Sequence, residues 1–289
     1  MYKNRTITLF AFASTDLKKS SQRLEKQALE SKYYDDIQIL SPNDFDDQMK
    51  SKFLSFKKDE KKRGYGYWFW KPLFLLKTIE SLKQNDIVHY VDIGCHIQNK
   101  NNRFKEYLDI LLKDNNWILP FQYHSDNFDF NEEILLPNRD EYKYTKADLF
   151  EYFDFLDNKE ITHSPQFWAG SFFLVNSLKS KNFLKEWVKV FETRFDLIND
   201  KNSVNKNFDG FIQNRHDQSV FSLLCKKNSI QALSAYECEW VEKNNSRSWE
   251  HNLNNPILAR RDLKFGIFKR FLNRQIKTFK RYKKKILSI

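Results

Sequence analysis

Short apolar runs alternate along this chain with longer stretches in which apolar residues recur every three or four positions. The first pattern is typical of buried β-strands and the second of amphipathic helices. Strands are predicted at residues 6–14, 37–40, 87–91, 117–121 and 167–175, and helices at 16–31, 46–56, 72–83, 103–113, 178–197 and 217–226. This alternation favours an α/β fold with a mostly parallel central sheet flanked by helices on both faces.

Two details of the pattern carry further expectations. The helix at 72–83 starts with Pro72, a residue suited to the first helical position because its missing N–H has no partner there. Residues 122–145 form a long polar and aromatic stretch without a clear period. A connection of that length inside a compact domain is usually a functional loop.

Composition indicates a globular protein of one large domain, or of one domain with an appendage. The chain has 289 residues, of which 40% are hydrophobic and 16% aromatic, more aromatic than a disordered chain would be. The three cysteines, Cys95, Cys225 and Cys238, have neither paired nor Cys-x-x-Cys spacing, so no disulfide framework or zinc ribbon is indicated and the cytoplasm is the expected compartment. The basic and apolar start of the chain imitates a secretory signal, but its apolar part is short and predicts a first strand instead. No run reaches the roughly eighteen apolar residues that cross a bilayer.

The net charge of +11 is concentrated at one end of the sequence. Residues 259–289 contain twelve Lys or Arg and one Asp, whereas residues 1–258 hold 37 basic and 37 acidic side chains. We therefore expect a main folded domain at 1–258 and a basic tail at 259–289. Apolar residues recur in the tail at helical spacing, which predicts an amphipathic C-terminal helix. Such a helix can lie on an anionic membrane, pack on the body as an ordinary helix, or bind nucleic acid; nucleic acid is disfavoured because the body has no second basic patch.

Candidate chemistry begins with the segment Arg63 to Pro72, which contains the run Gly-Tyr-Gly-Tyr-Trp-Phe-Trp-Lys-Pro. The strand predicted at 87–91 follows it and ends in Asp92-Ile93-Gly94. Ligands of open α/β sheets bind beyond the carboxyl ends of the strands, so Asp92 should face the ligand while Gly94 lets it approach the backbone. Asp92 could also simply cap the next turn.

Two further segments have the same mixture of small, aromatic and polar residues. In Phe167-Trp168-Ala169-Gly170, a glycine within an apolar strand marks either the close approach of a ligand or a bulge. In Arg215-His216-Asp217-Gln218, polar residues gather just before an apolar helix, where Asp217 could serve only as an N-terminal cap. The aromatic side chains nearby can stack on sugars or bases, or can belong to the core.

In this order, the segments resemble glycosyltransferases of the GT-A type, particularly small bacterial enzymes that assemble capsule or lipooligosaccharide chains. The resemblance covers about residues 6–224. It implies a GT-A, Rossmann-like fold and a nucleotide-sugar donor whose nucleoside contacts the end of the first strand. It also implies an Asp-x-Asp motif that holds Mn²⁺ or Mg²⁺ on the diphosphate. The residues expected to bind the donor are Phe12, Ser14, Arg63, Tyr65, Trp70, Lys71, Asp92, Gly94, Trp168, Gly170, His216 and Gln218.

The sequence departs from this family pattern at Gly94, which stands where the second carboxylate would be. Either Asp92 binds the metal together with a later residue such as His251, or Lys71 and Arg63 neutralise the diphosphate. Asp92 and Asp217 are the expected catalytic residues. Asp217 would act as the base of an inverting reaction or would position the donor sugar in a retaining one.

The predicted function is transfer of a sugar from a nucleoside diphosphate to a hydroxyl of a glycan or lipid-linked acceptor, on the inner face of the cytoplasmic membrane. Two other classes remain open. A nucleotidyl- or phosphotransferase could use the same crevice, and a non-catalytic peripheral protein could bind glycan or nucleic acid without consuming a donor.

Overall fold

A computed structural model describes residues 1–125 and 133–260. The strands are β1 (Ile7–Phe12), β2 (Asp36–Leu40), β3 (Ile87–Val91), β4 (His96–Ile97), β5 (Ile118–Gln122), β6 (Ile134–Leu135), β7 (Phe167–Val175), β8 (Leu233–Ser234), β9 (Val241–Lys243), β10 (Ser246–Ser248) and β11 (Ile257–Leu258). The helices are α1 (Lys18–Ser31), α2 (Asp47–Ser55), α3 (Lys58–Lys62), α4 (Gly64–Tyr67), α5 (Trp70–Ser81), α6 (Asn101–Leu112), α7 (Glu141–Tyr144), α8 (Ala147–Tyr152), α9 (Lys159–Thr162), α10 (Leu178–Thr193) and α11 (Asp217–Lys227). The predicted α/β class is confirmed.

The central sheet has six strands in the order β2-β1-β3-β7-β5-β8. β1 pairs in parallel with β2 and β3, and β5 pairs in parallel with β8, whereas β7 is antiparallel to both β3 and β5. Five strands therefore share one direction, as predicted, and β7 alone runs against them. Because β7 is reversed, its first residues lie at the edge where β3 and β5 end.

Helices cover both faces of this sheet because its strands alternate their side chains between two apolar layers. In β1, Phe10 and Phe12 point into the layer under α5, α10 and α11, while Leu9 and Ala11 point into the layer under α1 and α6. All six residues of β1 are buried. The sheet is thus the rigid centre from which the strand ends project.

Two small antiparallel sheets lie outside the central one. They have the orders β10-β9-β6 and β11-β4. The pairing of β11 with β4 brings the end of the described chain beside the segment that follows β3, through Ile257 opposite Ile97. Residues far apart in sequence therefore meet near the end of β3.

Several predicted boundaries are wrong in detail. α5 begins at Trp70, so Pro72 is its third residue; its missing N–H still costs nothing, because the first four N–H groups of a helix lack intrahelical acceptors. The helix predicted at 178–197 ends at Thr193 and is followed by a 3₁₀ turn. The stretch 122–145 contains β6 and α7.

The basic tail predicted at 259–289 lies outside the described residues from position 261 onwards. The boundary between a catalytic domain and a tail accordingly stays a prediction. No helix in the described parts of the chain is long and apolar enough to cross a membrane.

Candidate active site

A cleft of about 740 Å³ opens at the edge of the sheet where β1 and β3 end. This volume lies within the usual range of small-molecule sites. Six aromatic residues line it, namely Phe12, Tyr65, Trp68, Trp70, Tyr90 and Trp168. Its charged lining comprises three carboxylates, Asp16, Asp92 and Glu239, and the lysine Lys61. The walls are therefore suited to flat or ring-shaped groups, with acidic side chains among them.

Asp92 is fixed in position by the backbone on both sides. Its N–H donates to the carbonyl of Gly170 on β7 (2.8 Å), and its own carbonyl accepts from the N–H of Cys95 (2.8 Å). The guanidinium of Arg23 on α1 donates to the carbonyls of Ile93 (2.9 Å) and Cys95 (2.5 Å), which holds the same turn from outside. The turn after β3 is thus tied to two neighbouring elements, and it presents one carboxylate to the cleft.

The carboxylate of Asp92 is 34% exposed and has two neighbours behind it. The Tyr90 hydroxyl donates to Asp92 Oδ1 at 2.5 Å, and Lys71 Nζ lies 3.6 Å from the same oxygen. Tyr90 and Asp92 are two residues apart, so their side chains leave the chain on the same face. Among the described residues, both of these contacts go to Oδ1, and the other carboxylate oxygen, Oδ2, makes no hydrogen bond or ion pair.

Lys71 joins Asp92 to Asp217 inside the protein. Its Nζ lies 2.5 Å from Asp217 Oδ2 and 3.2 Å from the carbonyl of Ala169, and the two side chains are only 2% and 6% exposed. Burial alone would lower the pKa of Lys71, but the carboxylates of Asp217 and Asp92 outweigh it and raise the pKa. Burial raises the pKa of Asp217 to about 6, against the lowering effect of Lys71. One ammonium thus lies between two carboxylates, of which only Asp92 reaches the cleft.

The glycine-spaced segment forms a left-handed turn. Residues 64–68 all have φ between 54° and 85°, and α4 is the hydrogen-bonded part of this turn. For residues with a side chain this conformation costs about 1–2 kcal/mol each. A Cβ on Gly64 would lie 2.2 Å from the Trp68 ring, and a Cβ on Gly66 would lie 2.6 Å from the Phe56 ring. The two glycines are therefore required by the turn and by the rings packed on it.

Packing around the left-handed turn holds its strained residues. Tyr65 stacks on Phe53 with ring centroids 4.3 Å apart, and the Tyr67 hydroxyl donates to Asp200 Oδ2 at 2.8 Å. The Trp70 indole donates to the carbonyl of Gly64 at 3.1 Å. The turn places Tyr65 and Trp68 on the wall of the cleft.

Of the two interpretations of Gly170, the structure supports a bulge, because the pairing of β7 with β5 shifts in register between Leu119–Phe173 and Phe121–Trp168. A Cβ at this position would lie 2.3 Å from the indole of Trp168, two residues earlier on the same face of β7. The group that approaches this backbone is therefore a tryptophan ring of the protein, which lines the cleft beside Asp92.

The His216-Asp217-Gln218 segment is buried behind the cleft. His216 has φ 55° and precedes α11, and its Nδ1 bonds the carbonyl of Ile198 at 2.6 Å; burial lowers the pKa of this histidine to about 4. Asp217 is the first helical residue and the N-cap position is occupied by His216, so the interpretation of Asp217 as the cap is wrong. Gln218 donates to Gln166 at 2.9 Å.

The structure brings only part of the predicted binding set to the cleft. The members that line it are Phe12, Ser14, Tyr65, Trp70, Asp92, Gly94 and Trp168. Those that do not line it are Arg63, Lys71, Gly170, His216, Asp217, Gln218 and His251. Arg63 pairs with Asp200 at 3.3 Å, and Lys71 pairs with Asp217, so neither predicted cation faces the cleft.

Asp92 and His251 are not brought together as a metal site. His251 Nε2 lies 2.9 Å from the carbonyl of Tyr236. Across residues 1–125 and 133–260, no group of three or more His, Cys, Asp or Glu side chains is placed to hold a metal. Mg²⁺ or Mn²⁺ that arrives with a diphosphate needs only one or two protein carboxylates, and Asp92 is the residue that could supply one. Such an ion would neutralise phosphate charge.

Several residues of the cleft were not predicted from the sequence, among them Tyr90, Asp16, Lys61 and Glu239. Tyr90 could have been found from its two-residue spacing to Asp92 on a strand, and Asp16 from its place just after the first strand. Lys61 is one of several lysines in a charged run, and Glu239 lies after β8, a strand of two residues that is too short to show a period. No local signal marks these last two.

No protein-family model matches this chain, and the search of curated proteins finds no match. Among solved structures, it is similar to a glycosyltransferase involved in the glycosylation of the major capsid of PBCV-1, with 9% identity over 92% of this chain and 98% of that one and a TM-score of 0.42. It is also similar to mouse xyloside xylosyltransferase 1, with 10% identity over 79% and 84% and a TM-score of 0.41. A third is the galactosyltransferase LgtC in complex with donor and acceptor sugar analogues, with 12% identity over 81% and 75% and a TM-score of 0.36. All three TM-scores lie below 0.5, so the function has to be argued from the site.

Proposed function

We propose that this protein is a glycosyltransferase of the GT-A type that moves a sugar from a nucleoside diphosphate to a hydroxyl of a cell-surface glycan, of the capsule or lipooligosaccharide kind. The observation that supports this most is the position of Asp92. It follows the central strand β3, it is tied by its N–H to β7, and it presents a third of its side-chain surface to an aromatic cleft. A carboxylate at the carboxyl end of a strand in an α/β sheet is placed to meet a polar ligand.

The two ends of the cleft suit the two parts of a donor. Phe12 and Ser14 lie at the end of β1, with Tyr65 and Trp70 beside them, and offer flat apolar surfaces to a nucleoside. Trp168 lies on the other side of Asp92, and an indole there can stack on the face of a sugar ring. A donor laid along the cleft in this direction would have its diphosphate near Asp92.

Asp92 is the candidate residue for contact with the reacting groups. Its free oxygen can hold a sugar hydroxyl or a cation on the diphosphate, while Tyr90 and Lys71 fix its other oxygen. Asp217 lies behind the wall and is joined to Asp92 through Lys71, which supports a role in setting the charge around Asp92. Lys61, the single basic side chain among the described lining residues, is the cation available to the leaving diphosphate.

A thermal-shift panel of UDP-, GDP- and CMP-sugars, each with and without Mn²⁺, tests the proposal. A donor at a hundredfold excess over its Kd should raise Tm by about 5 °C, because it binds only the folded state. Asp92→Asn keeps the shape of the side chain and should lose most of this shift. Asp109→Asn, which removes an exposed carboxylate on α6, is the matched control and should keep it.

Two results would count against the proposal. One is a panel in which no nucleotide sugar changes Tm with or without the metal, and the other is an equal shift in the wild-type protein and Asp92→Asn. Product analysis with a labelled donor separates sugar transfer from a phosphotransferase reaction, since only the latter forms a phosphodiester.

A further inference from the structure

Among residues 1–125 and 133–260, two arginines near the Trp168 side of the cleft form no ion pair with an acidic side chain. Arg139 and Arg215 are both partly buried, and the Nε atom of each is buried without a hydrogen-bond partner. Within the described residues, no ion pair or side-chain hydrogen bond is formed by either guanidinium. By contrast, Arg103 binds Glu237 and Arg194 binds Asp196 at 2.9 Å. Partly buried charge without a partner is costly, so this pair calls for a compensating anion.

Aromatic rings hold both guanidinium groups. Arg215 lies 4.3 Å and Arg139 5.9 Å from the ring centre of Tyr144, so one tyrosine contacts both. Arg139 also lies 5.4 Å from the rings of Tyr123 and Trp240. Stacking on a ring orients a guanidinium but leaves the N–H groups at its edge available, and those groups match the two oxygens of a carboxylate or phosphate.

The pair lies on the β5 and β7 side of Asp92. Tyr123 directly follows β5 and its N–H donates to the carbonyl of Gln166, just before β7. Burial raises the pKa of the Tyr123 hydroxyl well above its ordinary value, and the charges of Glu239, Arg215 and Arg139 all act on it. Glu239 is itself on the cleft wall. The two arginines are therefore neighbours of the cleft, across Asp92 from the side of Phe12 and Ser14.

We propose that Arg139 and Arg215 form a subsite for an anionic group of the acceptor, a carboxylate or a phosphate. The inference rests on the proposed function, because it takes the β1 side of the cleft for the nucleoside and leaves the β5 side for the acceptor. The aromatic rings around the pair would contact the sugar that carries the anion. The acceptor class is then an acidic or phosphorylated glycan.

Binding of small probes tests this subsite without turnover. Isothermal titration would compare methyl glucuronide, inorganic phosphate and the neutral methyl glucoside. Arg139→Gln and Arg215→Gln should each weaken binding of at least one anion by about tenfold or more, as expected for loss of a charge-assisted hydrogen bond. Arg194→Gln is the matched control, since it removes one charge from an arginine that already has a carboxylate and a tyrosine ring, and it should change binding less than twofold.

The pattern of losses identifies the anion. A loss confined to methyl glucuronide assigns a carboxylate, and a loss confined to phosphate assigns a phosphoryl group. Arg139→Lys and Arg215→Lys keep the charge without the planar group and should bind more weakly than wild type but more tightly than the glutamine variants. Anion binding that is unchanged in the double glutamine variant overturns the inference, as does equal binding of methyl glucoside and methyl glucuronide.

Donor binding, measured on the same variants by thermal shift, keeps this inference separate from the proposed function. If nucleotide sugar still raises Tm but the arginine substitutions leave anion affinity unchanged, the subsite is wrong and the proposed function stands. If the anions depend on the arginines but no donor binds, the proposed function is wrong.

Discussion

At the scale of single residues, Asp92, Lys71 and Asp217 behave as one charged unit. The ammonium of Lys71 lies 2.5 Å from Asp217 and 3.6 Å from Asp92, and it is almost completely buried. A substitution of Asp217 should therefore alter the charge around Asp92 through Lys71, although Asp217 itself does not line the cleft. The three side chains together carry a net negative charge only when Asp217 is ionised.

This unit predicts a pH-dependent stability with a defined sign. The Asp217 carboxyl has a pKa of about 6 in the folded protein against an ordinary value of 3.8, so between these values the unfolded chain loses the proton first. The contribution of Asp217 to the free energy of unfolding should therefore fall as pH rises from about 4 to about 6, by up to about 3 kcal/mol. Urea unfolding of wild type and Asp217→Asn across this range measures the difference. The same ionisation predicts that turnover declines below about pH 6.

Asp109→Asn provides a control, because the contribution of Asp109 to the free energy of unfolding should change with pH in the opposite direction. Hydrogen bonds from Lys3 and Tyr2 lower the pKa of the Asp109 carboxyl, so its contribution is present at higher pH and is lost as pH falls. The prediction for Asp217 is refuted if the difference between wild type and Asp217→Asn grows with rising pH. That result would mean that attraction to Lys71 outweighs burial.

Sequence reasoning found Asp92 but misjudged its partners. A carboxylate just after an apolar strand can be located from the sequence, because strand ends in α/β sheets share one edge. The position of Lys71 depends on how α5 packs against β7 and α11, which brings together residues 146 positions apart. Spacing in the sequence does not record such a contact.

At the scale of elements, the left-handed turn at residues 64–68 is the most demanding local structure near the cleft. We expect Gly66→Ala to lower the free energy of unfolding by about 2–5 kcal/mol. A side chain at φ 85° costs about 1–2 kcal/mol, and the added Cβ meets the Phe56 and Phe69 rings, which adds an overpacking cost. Urea unfolding measures the loss. Because Tyr65 and Trp68 belong to the same turn, donor affinity should fall as well.

Gly210→Ala separates the backbone cost from the packing cost. Gly210 has φ 87°, close to that of Gly66, but a Cβ there would lie 3.4 Å from the Tyr142 ring, an ordinary contact distance. This variant should lose only the backbone cost of about 1–2 kcal/mol. Equal losses at the two glycines would show that the rings around Gly66 move aside and that the turn is less constrained than its packing suggests.

Periodicity predicted the long elements well and the short ones poorly. β3 and β7 have the predicted bounds, because a fully buried strand is a continuous apolar run. The glycine-spaced run in residues 64–68 does not predict a left-handed turn, since tyrosine and tryptophan rarely adopt positive φ. The strands of the two small sheets have two or three residues each, too few to show a period.

At the scale of the whole molecule, the sequence separates a neutral body from a basic end. The body has balanced charge over residues 1–258, and the described lining of its cleft has three carboxylates and one lysine. A neutral body with an acidic cleft gains little from an anionic membrane by itself. Attraction to such a membrane would have to come from residues 261–289, which carry ten of the eleven net positive charges.

We therefore expect deletion of residues 261–289 to abolish sedimentation with vesicles that contain phosphatidylglycerol. Each Lys or Arg near an anionic surface contributes about 1 kcal/mol, so loss of a charge of +10 should remove nearly all of the binding. The shortened protein should still bind a nucleotide sugar, since it keeps Asp92 and the aromatic residues that line the cleft. Vesicles of phosphatidylcholine alone are the control and should bind neither form, and high salt should release the full-length chain because it screens surface charge. If the shortened protein sediments as well as the full chain, the tail is not the membrane contact; if it no longer binds donor, the tail belongs to the active site instead.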